Sequence, residues 1–223
     1  MKRVMSPILI LSILLSCGSG VTGDPLPDNP EVPDVKTTYR NPVVNFSLPD
    51  PTIIQAADST FYLYATEDIR NVPILHSSDL VNWTEVGTAF TDQTRPNFEP
   101  KGGIWAPDIN RIGDKYVLYY SMSVWGGEWT CGIGVATSDK PEGPFQDHGM
   151  LFRSNEIGVQ NSIDPFYIEE GGSRYLFWGS FRGIFAIELT DNALRYAKEN
   201  RVGLMLASQL TRFLRLPKAN RKG

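Results

Sequence analysis

Leu48-Pro49-Asp50-Pro51-Thr52-Ile53, Trp105-Ala106-Pro107-Asp108-Ile109 and Ser162-Ile163-Asp164-Pro165-Phe166 read as one phrase written three times. Each carries an aspartate beside a proline, at Asp50, Asp108 and Asp164, 58 and 56 residues apart. An aromatic run follows each: FYLYAT from Phe61, YVLYYS from Tyr116 and YLFWGS from Tyr175, with starts 55 and 59 residues apart. The first two modules share a further element, HSSD ending at Asp79 and ATSD ending at Asp139. A period of about 50–60 residues built from short strands is the mark of a propeller blade. The prediction is an all-β chain of blades. YVLYYSM is apolar on both faces, as in a strand whose sheet packs on a blade at either side.

Working outward, the composition suits a folded β domain. Hydrophobic residues make up 41% of the 223, aromatic residues 11%, and the net charge is −4. Such a balance gives no reason to propose nucleic acid or an anionic membrane surface as a partner. The average hides a reversal. Residues 1–194 carry 13 basic and 24 acidic side chains, whereas residues 195–223 carry 8 basic and one acidic. The last stretch therefore reads as a different design.

Met1-Lys2-Arg3 is a short positive region, and Val4 to Leu15 is an apolar run too short to span a bilayer as a helix. It ends in LLSC, so residues 1–17 read as a lipoprotein-type signal with Cys17 as the lipidated residue. This predicts a secreted bacterial chain, periplasmic or at the cell surface, that meets the membrane only through a lipid anchor. An ordinary signal peptide with an incidental Cys17 is the alternative. Residues 18–39, rich in Pro and Asp, cannot form a helix or a central strand and read as a tether. Residues 40–191 hold blades 1 to 3, and residues 192–223 form a basic tail outside the propeller pattern. Cys131, beside a Gly-rich strand, reads as a small buried apolar residue. His76 and His148 lie 72 residues apart with no metal-ligand spacing, so no zinc is expected.

Equivalent positions of successive blades converge on one axis, so repeated aspartates would gather in one central pocket. Paired carboxylates so placed suit glycoside hydrolysis. Each Asp-Pro taken alone is more simply a turn; it is the repetition that argues for a site.

PDPTI, WAPDI, SSDLVNW, TSDKPEGPF and SIDPF followed by WGSF together resemble glycoside hydrolase family 43. The resemblance implies a five-bladed propeller that inverts the anomeric centre of arabinose- or xylose-containing polysaccharides, with an oligo- or polysaccharide as partner. It assigns Asp50 as general base and Asp164 as the residue that orients the general acid and raises its pKa. Trp105 and Phe181 become candidates to stack on sugar rings, and Asp108 a weaker candidate for substrate contact. NSIDP with WGSF looks most like endo-α-1,5-L-arabinanases; β-xylosidases and α-L-arabinofuranosidases share the scaffold. No cofactor is implied, and a structural calcium has no support in these residues.

The resemblance fades after Thr190-Asp191. The family's general acid, a glutamate in the fourth blade, has no match in the remaining residues, whose one glutamate is Glu199. The expectation is a chain truncated after the third blade and inactive alone. A frameshift or early stop, a split gene whose separate chain supplies the missing blades, and a genuine short form all remain open. A non-catalytic carbohydrate-binding surface lipoprotein is the competing function.

Overall fold

A computed structural model describes residues 38–196. The expected signal, Cys17, almost all of the tether and all but the first residues of the basic tail lie outside the described residues. Among the described residues, eleven strands form three antiparallel sheets. Blade 1 contains β1 (Thr52–Gln55), β2 (Phe61–Tyr64), β3 (Pro73–Ser77) and β4 (Thr84–Thr88) in sequential order. Blade 2 repeats this with β5 (Gly103–Ile112), β6 (Lys115–Ser123), β7 (Gly132–Ser138) and β8 (Gln146–Arg153). A single helical turn, α1 (Ser154–Ile157), leads to blade 3, with β9 (Phe166–Glu170), β10 (Ser173–Ser180) and β11 (Gly183–Glu188).

Two apolar seams hold the blades together. Tyr64, Ile74, Leu118, Tyr120 and Met122 belong to the first, between blades 1 and 2. Val117, Tyr119, Ile133, Leu176 and Trp178 belong to the second, between blades 2 and 3. Successive residues of β6 point to opposite faces, so the even positions fill one seam and the odd positions the other. That is why YVLYYSM has no polar face.

Strand pairing corrects the register of the sequence repeat. Thr52 pairs with Tyr64, Asp108 with Tyr119 and Phe166 with Phe177. Tyr64, Tyr119 and Phe177 are therefore equivalent, and the third aromatic run begins at Arg174 rather than Tyr175. Asp108 consequently matches Thr52 and Phe166, the first positions of β1 and β9, and not Asp50 or Asp164. The residue equivalent to those two is Ala106. A bulge in β5 between Trp105 and Asp108 carries Ala106 and Pro107 out of the ladder. Blade 3 also continues past the boundary expected at 191. Ala193 is fully buried, its carbonyl accepts a 2.8 Å hydrogen bond from Tyr119 Oη, and Tyr196 bridges back to Leu189.

Candidate active site

Asp50, Ala106 and Asp164 each precede a proline, and each has a positive φ, of 48°, 40° and 59°. Left-handed backbone is uncommon for residues with a Cβ and is tolerated best by Asn and Asp; in Ala106 it is strained. The same conformation at the mouth of three blades marks a built position. Such residues cluster where function requires a fixed direction.

A hydroxyl from the preceding blade holds this position. The Ala106 N–H donates to Thr66 Oγ1 at 2.7 Å, and the Asp164 N–H donates to Ser121 Oγ at 2.9 Å. Thr66 and Ser121 are equivalent residues at the ends of the aromatic runs. Thr66 also donates its own proton to Asp50 Oδ2 at 2.7 Å, so one side chain orients the Asp50 carboxylate and anchors the next blade. Within each blade a backbone bond closes the motif: Thr66 N–H to Pro49 O at 2.9 Å, and Gly179 N–H to Ile163 O at 2.8 Å. Gly179 is required there. Its φ is +125°, and a Cβ would lie 2.1 Å from Gly183 O. These latch hydroxyls were missed in the sequence, although Thr66 and Ser121 close the quoted runs FYLYAT and YVLYYS.

The charges of Asp50 and Asp164 act on one another. Both residues are solvent-facing. The partial withdrawal of the Asp164 carboxyl from water, with the like charge of Asp50 added, pushes its pKa up to about 6. Asp164 also borders an apolar cavity of about 320 Å³ lined by Phe166, Ile168, Phe177 and Ile184. Behind it, the segment following β8 is pinned by buried polar contacts. Ser154 Oγ lies 3.2 Å from Cys131 Sγ and accepts from Ser162 N–H at 2.9 Å. Cys131 is a buried free thiol, as its neighbours suggested, and burial pushes its pKa up.

Asp108 is placed differently. Its Oδ2 accepts hydrogen bonds from Tyr167 N–H at 2.7 Å and Asn110 Nδ2 at 2.8 Å. It thus ties β5 to β9 across the second seam, and burial pushes its pKa to about 6 against those bonds. Trp105 is half-buried, and its ring lies so close to the backbone that a Cβ on Gly103 would come within 2.3 Å of Nε1. Its neighbour Trp125 is 95% exposed, with ring centroids 6.4 Å apart. Phe181 tips the β10–β11 hairpin, also largely exposed, with the Arg182 guanidinium 4.9 Å from its ring centroid. Arg182 in turn pairs with Glu128 at 3.0 Å, and Glu128 also accepts from Gln160 Nε2 at 2.6 Å. The rims of blades 2 and 3 are thereby joined. Trp125 and Glu128 were not singled out from sequence; VWGGEW carried only the general signal of an aromatic turn.

The sequence model described as Glycosyl hydrolases family 43 matches residues 39–213. The extracellular endo-α-(1→5)-L-arabinanase 1 of Bacillus subtilis is 35% identical over 184 residues, covering 75% of this chain and 56% of that protein. A probable arabinan endo-1,5-α-L-arabinosidase A of Aspergillus flavus is 32% identical over 150 residues, covering 66% and 46%. Among solved structures, the Cellvibrio cellulosa α-L-arabinanase complexed with arabinohexaose superposes with a TM-score of 0.61 at 30% identity, covering 69% of this chain and 51% of that one. The native Bacillus subtilis arabinanase gives 0.60 at 33% identity, covering 69% and 55%. The chain spans about half the length of the relatives it matches. Its fold is that of the five-bladed propeller family, with about three blades present, and by fold and sequence the chain belongs to glycoside hydrolase family 43.

Proposed function

We propose that this chain carries part of the active site of an inverting glycoside hydrolase acting on arabinan, most like an endo-α-1,5-L-arabinanase. Asp50 is the general base and Asp164 the carboxyl that orients the general acid and holds its pKa up. The observation that carries this reading is the pair of carboxylates on left-handed pre-proline residues, coupled through their charges. In an inverting reaction the base takes a proton from a water attacking the anomeric carbon, while an acid on the opposite side protonates the departing oxygen. The two carboxyls need roughly 6.5–9.5 Å between them to admit that water. The bond from Thr66 leaves Asp50 Oδ1 free to face it. Asp108 serves as a positioning residue for the second seam, and Trp105, Trp125 and Phe181 offer faces for sugar rings. A relative solved with arabinohexaose supports an oligosaccharide ligand, and an extracellular relative supports secretion.

Protonation of the leaving oxygen is assigned to a glutamate of a further blade. On that reading the 223-residue chain binds arabino-oligosaccharides but turns them over slowly or not at all. Titration of the full chain with arabinohexaose, followed by tryptophan fluorescence, tests binding; reducing-end release from linear arabinan tests turnover. Saturable binding that Trp105→Ala weakens about tenfold or more is expected. Equal binding of xylohexaose would overturn the arabinan assignment, and turnover at the roughly 1–1,000 s⁻¹ usual for enzymes would overturn the incomplete site. The exposed Trp125 and Phe181 also favour a second reading, carbohydrate binding without hydrolysis. A continuous reading frame that supplies no fourth blade would select it.

A further inference from the structure

Two consecutive residues of blade 1 grip the first strand of blade 2 on either side of Trp105. Thr66 Oγ1 accepts from the Ala106 N–H at 2.7 Å. Glu67 Oε1 accepts from the Ile104 N–H at 2.8 Å, and the Glu67 N–H donates to Ile104 O at 3.1 Å. Both polar backbone groups of Ile104 are therefore held by blade 1, and Trp105 lies between the two anchored residues. Thr66 also holds the Asp50 carboxylate. The orientation of Asp50 and the placing of Trp105 thus come from neighbouring links of one short segment.

The Glu67 grip is itself locked. Its carboxylate takes both terminal guanidinium nitrogens of Arg95, and the Asn71 N–H at 2.8 Å. Arg95 also donates to Asn71 Oδ1 at 3.0 Å and to Gly102 O at 2.9 Å, so the ion pair reaches the start of β5 at two points. The Glu67 and Arg95 side chains are only 8% and 12% exposed. Another shielded pair, Glu99–Arg153, leaves Glu99 Oε2 and Arg153 Nε without a hydrogen-bond partner, whereas Glu67 and Arg95 have no such buried orphan. The loop that presents Glu67 is also bent against its preference. Asn71 and Val72 have φ of 75° and 65°, and left-handed backbone at a β-branched residue is an outlier that its surroundings must impose.

A buried ion pair is weak evidence for stability, because both charges must be desolvated to make it. The second seam shows that the contact can be made without one. There Ser162, equivalent to Ile104, donates its N–H to the neutral Ser154 Oγ at 2.9 Å, and Met122 occupies the position of Glu67. The residue between the anchors is Ile163 in blade 3 and Trp105 in blade 2. The charged lock thus stands where the gripped residue carries an aromatic ring, half-buried and 6.4 Å from that of Trp125. We infer that Glu67, locked by Arg95, is a positioning residue that fixes the Trp105 ring relative to the Asp50 carboxylate, so that a sugar stacked on the ring meets the base at a set place. The sugar part of this inference rests on the proposed function; the clamp rests on the hydrogen bonds alone. A ring seated in advance loses little freedom on binding, which favours affinity.

A double variant of the full chain, Glu67→Met with Arg95→Met, removes the lock without stranding a charge, so the chain should fold. Circular dichroism checks this, and Glu67→Gln serves as a second, milder variant. Arg70→Met, which loosens the exposed Arg70–Asp92 pair of the same loop, is the control. Fluorotryptophan labels the five tryptophans, and Trp105→Phe identifies the Trp105 resonance in the fluorine NMR spectrum. In the double variant the Trp105 signal should shift toward its position in the urea-unfolded chain, while that of Trp178, buried in the second seam, stays in place. Arabinohexaose affinity should fall about three- to tenfold. Glu67→Gln should give smaller changes of the same sign, and Arg70→Met should give neither. A Trp105 signal that does not move in the folded variants overturns the inference. A Trp178 signal that moves as far also overturns it, because the pair would then act on stability alone. A displaced ring with unchanged affinity overturns the positioning role. A wild-type chain that binds no arabinohexaose overturns the proposed function and the sugar part of the inference with it; the spectrum without ligand tells that failure from failure of the clamp.

Discussion

Blade 2 and blade 3 are built from the same strand pattern, yet the same position means different things in each. Tyr119 of blade 2 is fully buried, stacks on Tyr167 at 5.9 Å and donates to Ala193 O. Phe177, its equivalent in blade 3, lines an open cavity. Burial in a propeller is thus a property of the seam rather than of the strand. An aromatic residue becomes core only when a neighbouring blade arrives. The contrast also separates stabilising residues from candidate site residues. Blade 2 supplies the seams and the Asp108 tie, whereas Asp50 and Asp164 stand on the blades that flank it.

The sharpest way to break the comparison is to delete the two rings. Tyr119→Ala should cost about 3–5 kcal/mol in urea unfolding, because it opens a cavity in a closed seam and leaves the Ala193 carbonyl without its donor. Phe177→Ala should cost about 1 kcal/mol or less. Equal losses would mean that blade 3 has no open face. Ion pairs extend the test from seam to rim. Arg95 and Glu67 form a largely buried pair that also takes in Gly102 O and the Ile104 N–H. Arg95→Met should cost about 3–5 kcal/mol by stranding the Glu67 carboxylate. The Arg70–Asp92 pair, well exposed at 2.7 Å, should yield a far smaller loss when Arg70 is replaced by Met, because water screens both charges.

The latch between blades gives a smaller effect. Ser121→Ala removes the partner of the Asp164 N–H and should cost about 1–3 kcal/mol. In the same variant the arabinohexaose affinity should fall, since the Asp164 backbone loses its reference point. A full loss of stability with unchanged binding would separate the latch from the site. The smallest expected effect depends on pH. Asp164 has a folded pKa of about 6 against an ordinary value of 3.8. The folded chain therefore takes up a proton between those values that the unfolded chain does not. Its contribution to stability is fully present below about pH 4 and is lost as pH rises through 6. Asp164→Asn should leave the melting temperature unchanged near pH 3.5 and raise it by about 1–2 °C at pH 7.5, a modest gain because the residue is solvent-facing. A variant equally stabilised at both pH values would show that the ionisation of Asp164, held back by its burial and by the nearby charge of Asp50, is not the cause.

Much of this was legible in the chain. Prolines beside aspartates, aromatic runs and a spacing of nearly sixty residues sufficed for the blades and singled out Asp50 and Asp164 as candidates. Two features were not legible, for different reasons. Asp108 looked like the middle member of an aspartate series because a carboxylate is visible in sequence and a φ angle is not. Ala106 carries the left-handed backbone but no chemical mark. Thr66 and Ser121 lay in plain view, yet a hydroxyl at a strand end is too common to read as a latch until its partner in the next blade is located. The one-residue error at Tyr175 has a similar origin. Aromatic residues occupy both faces of β10, so side-chain type could not fix the register, whereas the Phe166–Phe177 pairing does.

Ala106 sets a gauge. Three successive blade mouths present the same strained position, and the middle one ends in a methyl group. With a carboxylate at 106, three like charges would crowd one centre and compete for the same counter-charge and water. A methyl there makes blade 2 a blank between two acids, so the distance from Asp50 to Asp164 is measured in whole blades and varies only as the seams do. On the proposed reading, in which Asp50 activates a water, the least reactive side chain in the motif keeps that gap open.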